Sequence, residues 1–534
     1  MIKKIPIFLM TTLLMSSVLL GCKSNEVSEQ TNKNETNTSI NESGFPIVDE
    51  KITLTMVGPH VGKGEWKDRE YFKEMEKLTN IQFKYETPPR DDFPTKKQLL
   101  LASGDLPDIF YASDINHQEQ IKYGGNGIFI PLEDLIDKYA PNIKKMLEER
   151  PEVKKAITAP DGHIYALPSV DDQPSYWHMW YNGEWLKNLG VTELPKTTEE
   201  FYNLLKRFKT EDPNQNGKAD ELPLSNHGGV GEFDSYILAA FGLTGSGISL
   251  KEGEVVFSPV QEEYKAYLEY MNKLWEEDLF DHESFSQTNP QKKAKGHENL
   301  IGVFADAHPA FVLGGSTDRT DNPVFHPLTS EFIDQPIVPE STGIGHGTFA
   351  ITKENNHPEA SIRWVDYSYS IEGADLLHNG IEGTYWEWKD ANSKQERLIK
   401  DAPAGFDSPE DFRSSISPDW GIGVPIRRFA QDQLGWKWGN DKFGLWVREE
   451  DKEKLIPYET PVYPSVYFKD DELKTIARIE RDLNTYVTQM RAKFITGESP
   501  LSEWNKYVKT IEEMDLDKLI DIYKKAYERH QQNG

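Results

Sequence analysis

Ile52-Thr53-Leu54-Thr55-Met56-Val57 reads as a buried strand, stopped by Gly58-Pro59. Helical periodicity follows over Tyr71 to Leu78, then strand alternation over Ile81-Gln82-Phe83-Lys84-Tyr85. A second helix runs through Lys96 to Ala102. The turn Ser103-Gly104-Asp105-Leu106-Pro107 then leads into the strand Asp108-Ile109-Phe110-Tyr111. Strands alternating with helices predict βαβ units, a mainly parallel sheet and an α/β fold. In such a sheet ligands gather at the carboxyl ends of the strands. Further along, Asp161-Gly162 within Ala159 to Pro168 predicts a hairpin with an extended exit strand. Helices are expected over Thr198 to Lys209, Asp471 to Phe494 and Ser502 to about His530. Between Gly383 and Trp446 the signals weaken, with many Gly, Pro and Trp, which predicts an irregular functional surface.

Upstream of the first strand the chain is of another kind. Lys3 and Lys4 precede a mostly apolar run from Ile5 to Leu20, which ends at Gly21-Cys22. A basic start with a short apolar stretch is the form of a secretory signal. A transmembrane helix needs about 20 apolar residues. Leu19-Leu20-Gly21-Cys22 resembles the lipobox of lipoproteins, whose cysteine is lipidated and becomes the first residue after cleavage. The alternative is an ordinary cleaved signal with an incidental cysteine. Residues 1–21 are thus expected as a signal peptide, and 22–50 as a lipidated Cys22 with a polar leash too poor in apolar groups to enter a core. The expected location is the extracytoplasmic face of the cell membrane, with the lipid bilayer as a partner through Cys22.

The chain has 534 residues, too many for one ordinary core, so two lobes are expected. Its single cysteine excludes an internal disulfide. A net charge of −28 without a basic block argues against nucleic acid, whose phosphates need a positive face. Aromatic residues make up 11% of the chain, with 13 Trp and 23 Tyr, and aromatic faces suit sugar rings. No repeat of about 20–50 residues suggests a solenoid or propeller.

Several phrases in order then resemble the carbohydrate-type extracellular solute-binding proteins of ABC importers. They are Ser103-Gly104-Asp105-Leu106-Pro107-Asp108-Ile109, Pro131-Leu132-Glu133-Asp134-Leu135-Ile136, and Asp161-Gly162 through Tyr165-Ala166-Leu167-Pro168. Tyr181-Asn182, Trp185-Leu186, Leu189-Gly190 and His357-Pro358-Glu359-Ala360 follow. The resemblance runs from Ile52 to about Ala526 and implies a two-lobed periplasmic-binding-protein-like fold with a hinge and an interlobe ligand cleft. Its lobes would be 51–167 with 338–395, and 168–337 with 396–534. One crossover would be Tyr165 to Pro168 and another near Pro336 to Gly345. The implied function is a membrane-anchored receptor, not an enzyme, that captures a carbohydrate for ABC permease subunits served by a separate ATPase.

Asp212-Pro213-Asn214-Gln215-Asn216-Gly217-Lys218-Ala219-Asp220-Glu221 puts oxygen side chains at alternate positions, with glycine where the loop must turn. That follows the first part of a calcium loop. It departs from an EF-hand, because position 12 is Pro223 and no helix signal follows. The variant resembles the calcium site of the alginate- and oligosaccharide-binding branch of these receptors. By that match the ligands would be Asp212, Asn214, Asn216, the Lys218 carbonyl, Asp220 and Glu221, and calcium would be structural. A metal-free Asx-rich turn is the alternative.

Candidate ligand contacts begin with Tyr176 to Tyr181, directly after the first crossover. Strand alternation separates Trp177 from Trp180, so one of the two should face the ligand. Tyr385, Trp386 and Glu387 are further candidates, with Trp420, Trp436 and Trp438 in the irregular region. His60 and Trp66 follow the first strand; Asp114 and Asp306 follow later ones. For each residue, core packing or plain exposure is the competing reading. Rival functions are a surface glycoside hydrolase, whose paired carboxylates would suit a Trp-lined cleft, and a receptor for peptides or another solute. No G-x-S-x-G elbow or HExxH helix is present. Gly58 to Lys63 is one residue too short for a phosphate loop and lacks the following Ser or Thr.

Overall fold

After Val57 the chain passes so close to Tyr111 and Trp66 that only glycine fits. A Cβ on Gly58 would meet the Tyr111 carbonyl oxygen at 2.3 Å and the Trp66 ring at 2.4 Å. The computed structural model describes residues 40–171, 176–315, 318–406, 408–429 and 437–532. The strand before Gly58, β1 (Ile52–Val57), lies parallel between β2 (Ile81–Glu86) and β3 (Ile109–Tyr111). Ile52, Leu54 and Met56 point into one core while Thr53 and Thr55 face outward, and at the end of β1 Val57 enters a second apolar cluster on the other face with Leu100 and Phe110.

The turn before β3 is built by its own residues. Gly104 ends the helix Phe93–Ser103 in the left-handed conformation at φ 78°, where a glycine carries no Cβ penalty. Asp108 then fastens the edge of β3 to β1: its carboxylate accepts from the Thr55 amide and hydroxyl, both at 2.7 Å. The sheet continues through β4 (Leu167–Asp171), which the Gly162 turn at φ 91° feeds. The three-stranded sheet of the other lobe joins β5 (Met179–Tyr181), β6 (Leu222–Leu224) and a later strand. A hairpin of β7 (Ile248–Lys251) and β8 (Glu254–Phe257) separates β6 from that strand, β9 (Ile301–Ala305). Then come β10 (Val338–Pro339), β11 (Ile344–Ile351), β12 (Trp386–Trp388), β13 (Glu396–Ile399), β14 (Arg427–Arg428), β15 (Lys437–Trp438) and β16 (Glu459–Thr460). The first sheet has the order β14-β4-β11-β3-β1-β2, and the second the order β5-β9-β6.

Each sheet has its own apolar core. The first gathers Leu54, Met56, Trp66, Tyr71, Trp364 and Leu377, the second Trp180, Trp185, Phe208, Tyr267, Phe325 and Leu483. The chain leaves the first sheet after β4 and enters the second at β5. It returns between β10 and β11, and β10 pairs in parallel with β16. The lobe limits expected from sequence change here. Residues 396–429 were assigned to the second lobe, yet Val424, Ile426 and Phe429 pack into the first core and β14 pairs with β4. The stretch expected to be irregular also holds a small sheet, β12-β13-β15, around Tyr385, Trp386 and Ile416. The helix expected from Ser502 to His530 is two helices, Trp504–Glu512 and Leu516–Gln532, broken at Asp515 with φ 64°. Among the described residues no helix is long and apolar enough to cross a membrane.

Candidate ligand-binding site

In the second sheet β6 and β9 run parallel, and β5 runs against them. The carboxyl ends of β6 and β9 and the start of β5 therefore lie at one edge. There Ser225-Asn226-His227 follow β6, Asp306 follows β9, and Trp177-His178 precede β5. Asp306 is held by its backbone: its amide donates to the His178 carbonyl at 3.1 Å, and the Trp180 indole donates to its carbonyl at 2.7 Å. Lys292, fully buried, donates to the Ala305 carbonyl at 2.8 Å and lies 3.7 Å from the Asp306 carboxylate and 3.9 Å from Glu232. Glu232 also stands 3.7 Å from His227, and the Asn226 and Trp177 side chains reach it.

Electrostatics at this edge are set by burial. Burial lowers the Lys292 ammonium, and Asp306 and Glu232 pull it back. Burial raises the Glu232 carboxyl, which Lys292 opposes. His227 is lowered by burial and then by Lys292, which favours the neutral ring. Asn226 Oδ1, His227 Nδ1 and Glu232 Oε2 are buried without a hydrogen-bond partner. This edge can therefore accept and donate hydrogen bonds to something polar that enters it. Trp177 is 47% exposed beside it.

The first sheet presents a matching edge. His60 follows β1, half-buried, with its amide donating to the Pro88 carbonyl at 2.7 Å. Asp114 follows β3, exposed and with φ 47°. Trp420 is half-buried next to Asp419, whose carboxylate meets His378 at 2.6 Å and Arg428 at 3.3 Å. Arg428 in turn reaches Asp171, the last residue of β4, at 2.8 Å. A cavity of 440 Å³ near the crossovers, lined by Asp171, Glu340, Glu459 and His346, presents no Trp, Tyr or Phe face.

Four sequence candidates are core residues in this structure. Trp66 is fully buried and stacks on Phe72 with ring centres 5.3 Å apart. Trp180 is fully buried under Phe443 and Trp446. Tyr385 and Trp386 are 2% and 5% exposed; Tyr385 donates to Glu410, and Arg397 covers the Trp386 ring at 3.6 Å. A covered ring has no face left for a ligand, so these readings are replaced by packing. Glu387 is exposed, 4.0 Å from Lys400, and Trp438 packs edge-on to Tyr385. Trp177 and Asp306 both border the cluster of Asn226, His227, Glu232 and Lys292, which the sequence reading missed. Cys22 and Trp436 lie outside the described residues.

The oxygen-rich loop links the helix Thr198–Thr210 to β6. Left-handed residues Asp212, Gln215 and Gly217 fold it back on itself. Asp212 accepts from the amides of Asn216 and Gly217, both at 3.1 Å. Asp220 Oδ1 accepts from Asn216 at 2.9 Å and Asn214 at 3.4 Å. Glu221 is 6% exposed with Oε1 buried and unpaired, and its carboxyl is raised by burial and by Asp220 and Asp212. Crowded carboxylates with an orphaned oxygen fit a hard cation. Among the described residues no three His, Cys, Asp or Glu side chains form a metal cluster, so a cation here would need the asparagine and carbonyl oxygens as well.

Comparison with known proteins finds relatives over nearly the whole chain. The chain is 31% identical over 510 residues to the fructooligosaccharide ABC transporter substrate-binding protein FusA of Streptococcus pneumoniae, covering 92% of each. It is 25% identical over 550 residues to the polygalacturonan/rhamnogalacturonan-binding protein YtcQ of Bacillus subtilis, covering 98% of each. The solved structure of FusA in complex with kestose superposes with a TM-score of 0.77 at 29% identity, covering 90% of this chain and 100% of that one. An EF-hand mutant of FusA in complex with fructo-nystose superposes equally well, at 0.77. The model for bacterial extracellular solute-binding proteins matches residues 63–375. With over half its length matched by that model, and two cores joined by crossing strands, this chain belongs to the bacterial extracellular solute-binding protein family.

Proposed function

We propose that this protein is the extracytoplasmic receptor of an ABC importer and captures an oligosaccharide in the cleft between its two sheets. The observation that carries the reading is similarity to a fructooligosaccharide receptor over 92% of both chains. The polar edge at Asn226, His227, Glu232, Lys292 and Asp306, beside the exposed Trp177, suits sugar hydroxyls and a sugar face. His60, Asp114 and Trp420 would meet the sugar from the other lobe. A thermal-shift panel of neutral and acidic oligosaccharides tests this. A ligand at 100 times its Kd adds about 2.7 kcal/mol of stability, so at least one sugar should raise the melting temperature by several degrees. A panel with no shift would overturn the reading.

Two further features belong to the proposal. Cys22 would carry the lipid that tethers the receptor near its permease, and Cys22→Ser should move the protein from the membrane fraction to the medium. The loop Asp212–Glu221 would hold calcium through Asp212, Asn214, Asn216, the Lys218 carbonyl, Asp220 and Glu221. When bound, the cation would neutralise the crowded carboxylates and stiffen the entry into β6. Chelation with EDTA should lower the melting temperature by several degrees, and calcium should restore it; an identical curve in chelator would remove the metal.

A further inference from the structure

We propose that the edge formed by Asn226, His227, Glu232, Lys292 and Asp306 under Trp177 is a subsite that takes an uncharged sugar residue and turns away a uronate. The inference rests on the oligosaccharide-receptor reading and specifies its substrate class. Buried polar atoms in folded proteins are hydrogen-bonded, yet Asn226 Oδ1, His227 Nδ1 and Glu232 Oε2 are buried, unpaired and gathered in one place. Asn226 is fully buried, with its amide nitrogen fastened to the Gly229 carbonyl at 3.2 Å, which leaves Oδ1 as the unused acceptor.

The spacing around Glu232 fits a small group that both donates and accepts. Its Oε2 is 3.7 Å from His227 Nδ1 and 3.9 Å from Lys292 Nζ. Both distances exceed hydrogen-bonding range. A sugar hydroxyl has one proton to donate and two lone pairs, so it can donate to Glu232 Oε2 or Asn226 Oδ1 and accept from Lys292. Trp177 offers an exposed ring beside it.

Charge then selects among sugars. Glu232 and Asp306 both lie close to the Lys292 ammonium, at 3.9 and 3.7 Å, while Lys293 acts on the cluster more weakly. A neutral sugar leaves that balance alone. A uronate carboxylate would enter a partly desolvated space already holding two carboxylates beside one close ammonium, and like charges there discriminate against it. The relatives bind sugars of both kinds: fructooligosaccharides for FusA and polygalacturonan for YtcQ. The groups at β6 and β9 place this chain with the neutral class.

Isothermal titration of the purified protein with kestose, maltotriose, xylotriose and trigalacturonic acid tests the assignment. The wild type should bind at least one neutral trisaccharide, and trigalacturonic acid about tenfold or more weakly. Glu232→Gln should weaken the neutral ligand about tenfold, the measure of a lost hydrogen bond to a charged group, and should narrow the gap to trigalacturonic acid. His227→Ala, which removes a ring without burying a new polar group, is the second variant should Glu232→Gln fail to fold. Neutral binding within twofold of wild type in both variants would overturn the subsite while leaving the receptor reading intact. A wild-type preference for trigalacturonic acid would do the same. No binding of any of the four would overturn the receptor reading and the subsite with it.

Discussion

Asp419→Ala is expected to lower the unfolding free energy by about 1–3 kcal/mol, the cost of removing a buried hydrogen-bonding carboxylate whose cationic partners are partly exposed. Asp419 is 9% exposed, and its carboxylate meets His378 at 2.6 Å and Arg428 at 3.3 Å. Its carbonyl accepts from Arg413 at 2.7 Å, and Arg413 itself is 8% exposed. Removing the carboxylate takes one acceptor from His378 and leaves Arg428, itself 37% exposed, paired with Asp171. The network also ends on Asp171 through Arg428, so its loss loosens the last residue of β4, where the chain leaves the first sheet. Burial alone would raise the Asp419 carboxyl, but Arg428 and then His378 more than reverse this and hold it below the usual carboxylate range. A carboxyl depressed in the folded state adds stability above its unfolded value of about 4, and that stability fades as pH falls further. Denaturant melts from pH 7 to pH 3 should therefore show the wild type losing more stability than Asp419→Ala below about pH 4. Parallel pH profiles in the two proteins would contradict this.

Trp180→Ala is the second large effect, about 3–5 kcal/mol for a fully buried indole. The ring packs against His178, Phe443 and Trp446 with centres 5.0, 5.8 and 6.4 Å away. Its nitrogen holds the Asp306 carbonyl at 2.7 Å, so packing and site geometry fail together. Trp180→Phe keeps most of the packing and loses the hydrogen bond, which costs about 1–3 kcal/mol if the carbonyl stays buried and unpaired. Calorimetric melts should rank the two variants in that order, with sugar affinity reduced in both. Wild-type affinity in Trp180→Phe would mean that Asp306 is positioned without the indole.

Why the alternation from Ile52 to Tyr111 was readable is now a physical matter. Each strand there carries its own alternating or continuous apolar set, and Gly104 closes its helix through the neighbouring Leu100 carbonyl. The same holds for the helix Thr198–Thr210, opened by a capping box of Thr197 and Glu200. Segments whose partners are distant were not readable. β14 is two residues long and owes its place to pairing with β4, so the lobe limit after 395 could not be drawn from local pattern. β6 is three residues with Pro223 at its centre, too short for periodicity, and so Asn226 and His227 were not recognised as strand-end residues. The available signal was Ser225-Asn226-His227-Gly228-Gly229, a polar run into paired glycines after the oxygen-rich loop. The tryptophans erred the other way. Trp66, Trp180 and Trp386 are candidate ligand contacts by sequence, with core packing as the competing reading, and they pack their faces on Phe72, Trp446 and Arg397, since large rings lose the most apolar surface when buried.

A receptor captures its oligosaccharide and gives it back unchanged. The direct measurement loads the protein with the sugar that most raises its melting temperature, removes free sugar by gel filtration, denatures the complex and weighs the released ligand by mass spectrometry. One intact oligosaccharide per chain is the predicted result. Shortened sugars, as a glycoside hydrolase would leave, or no retained sugar at all, would contradict it.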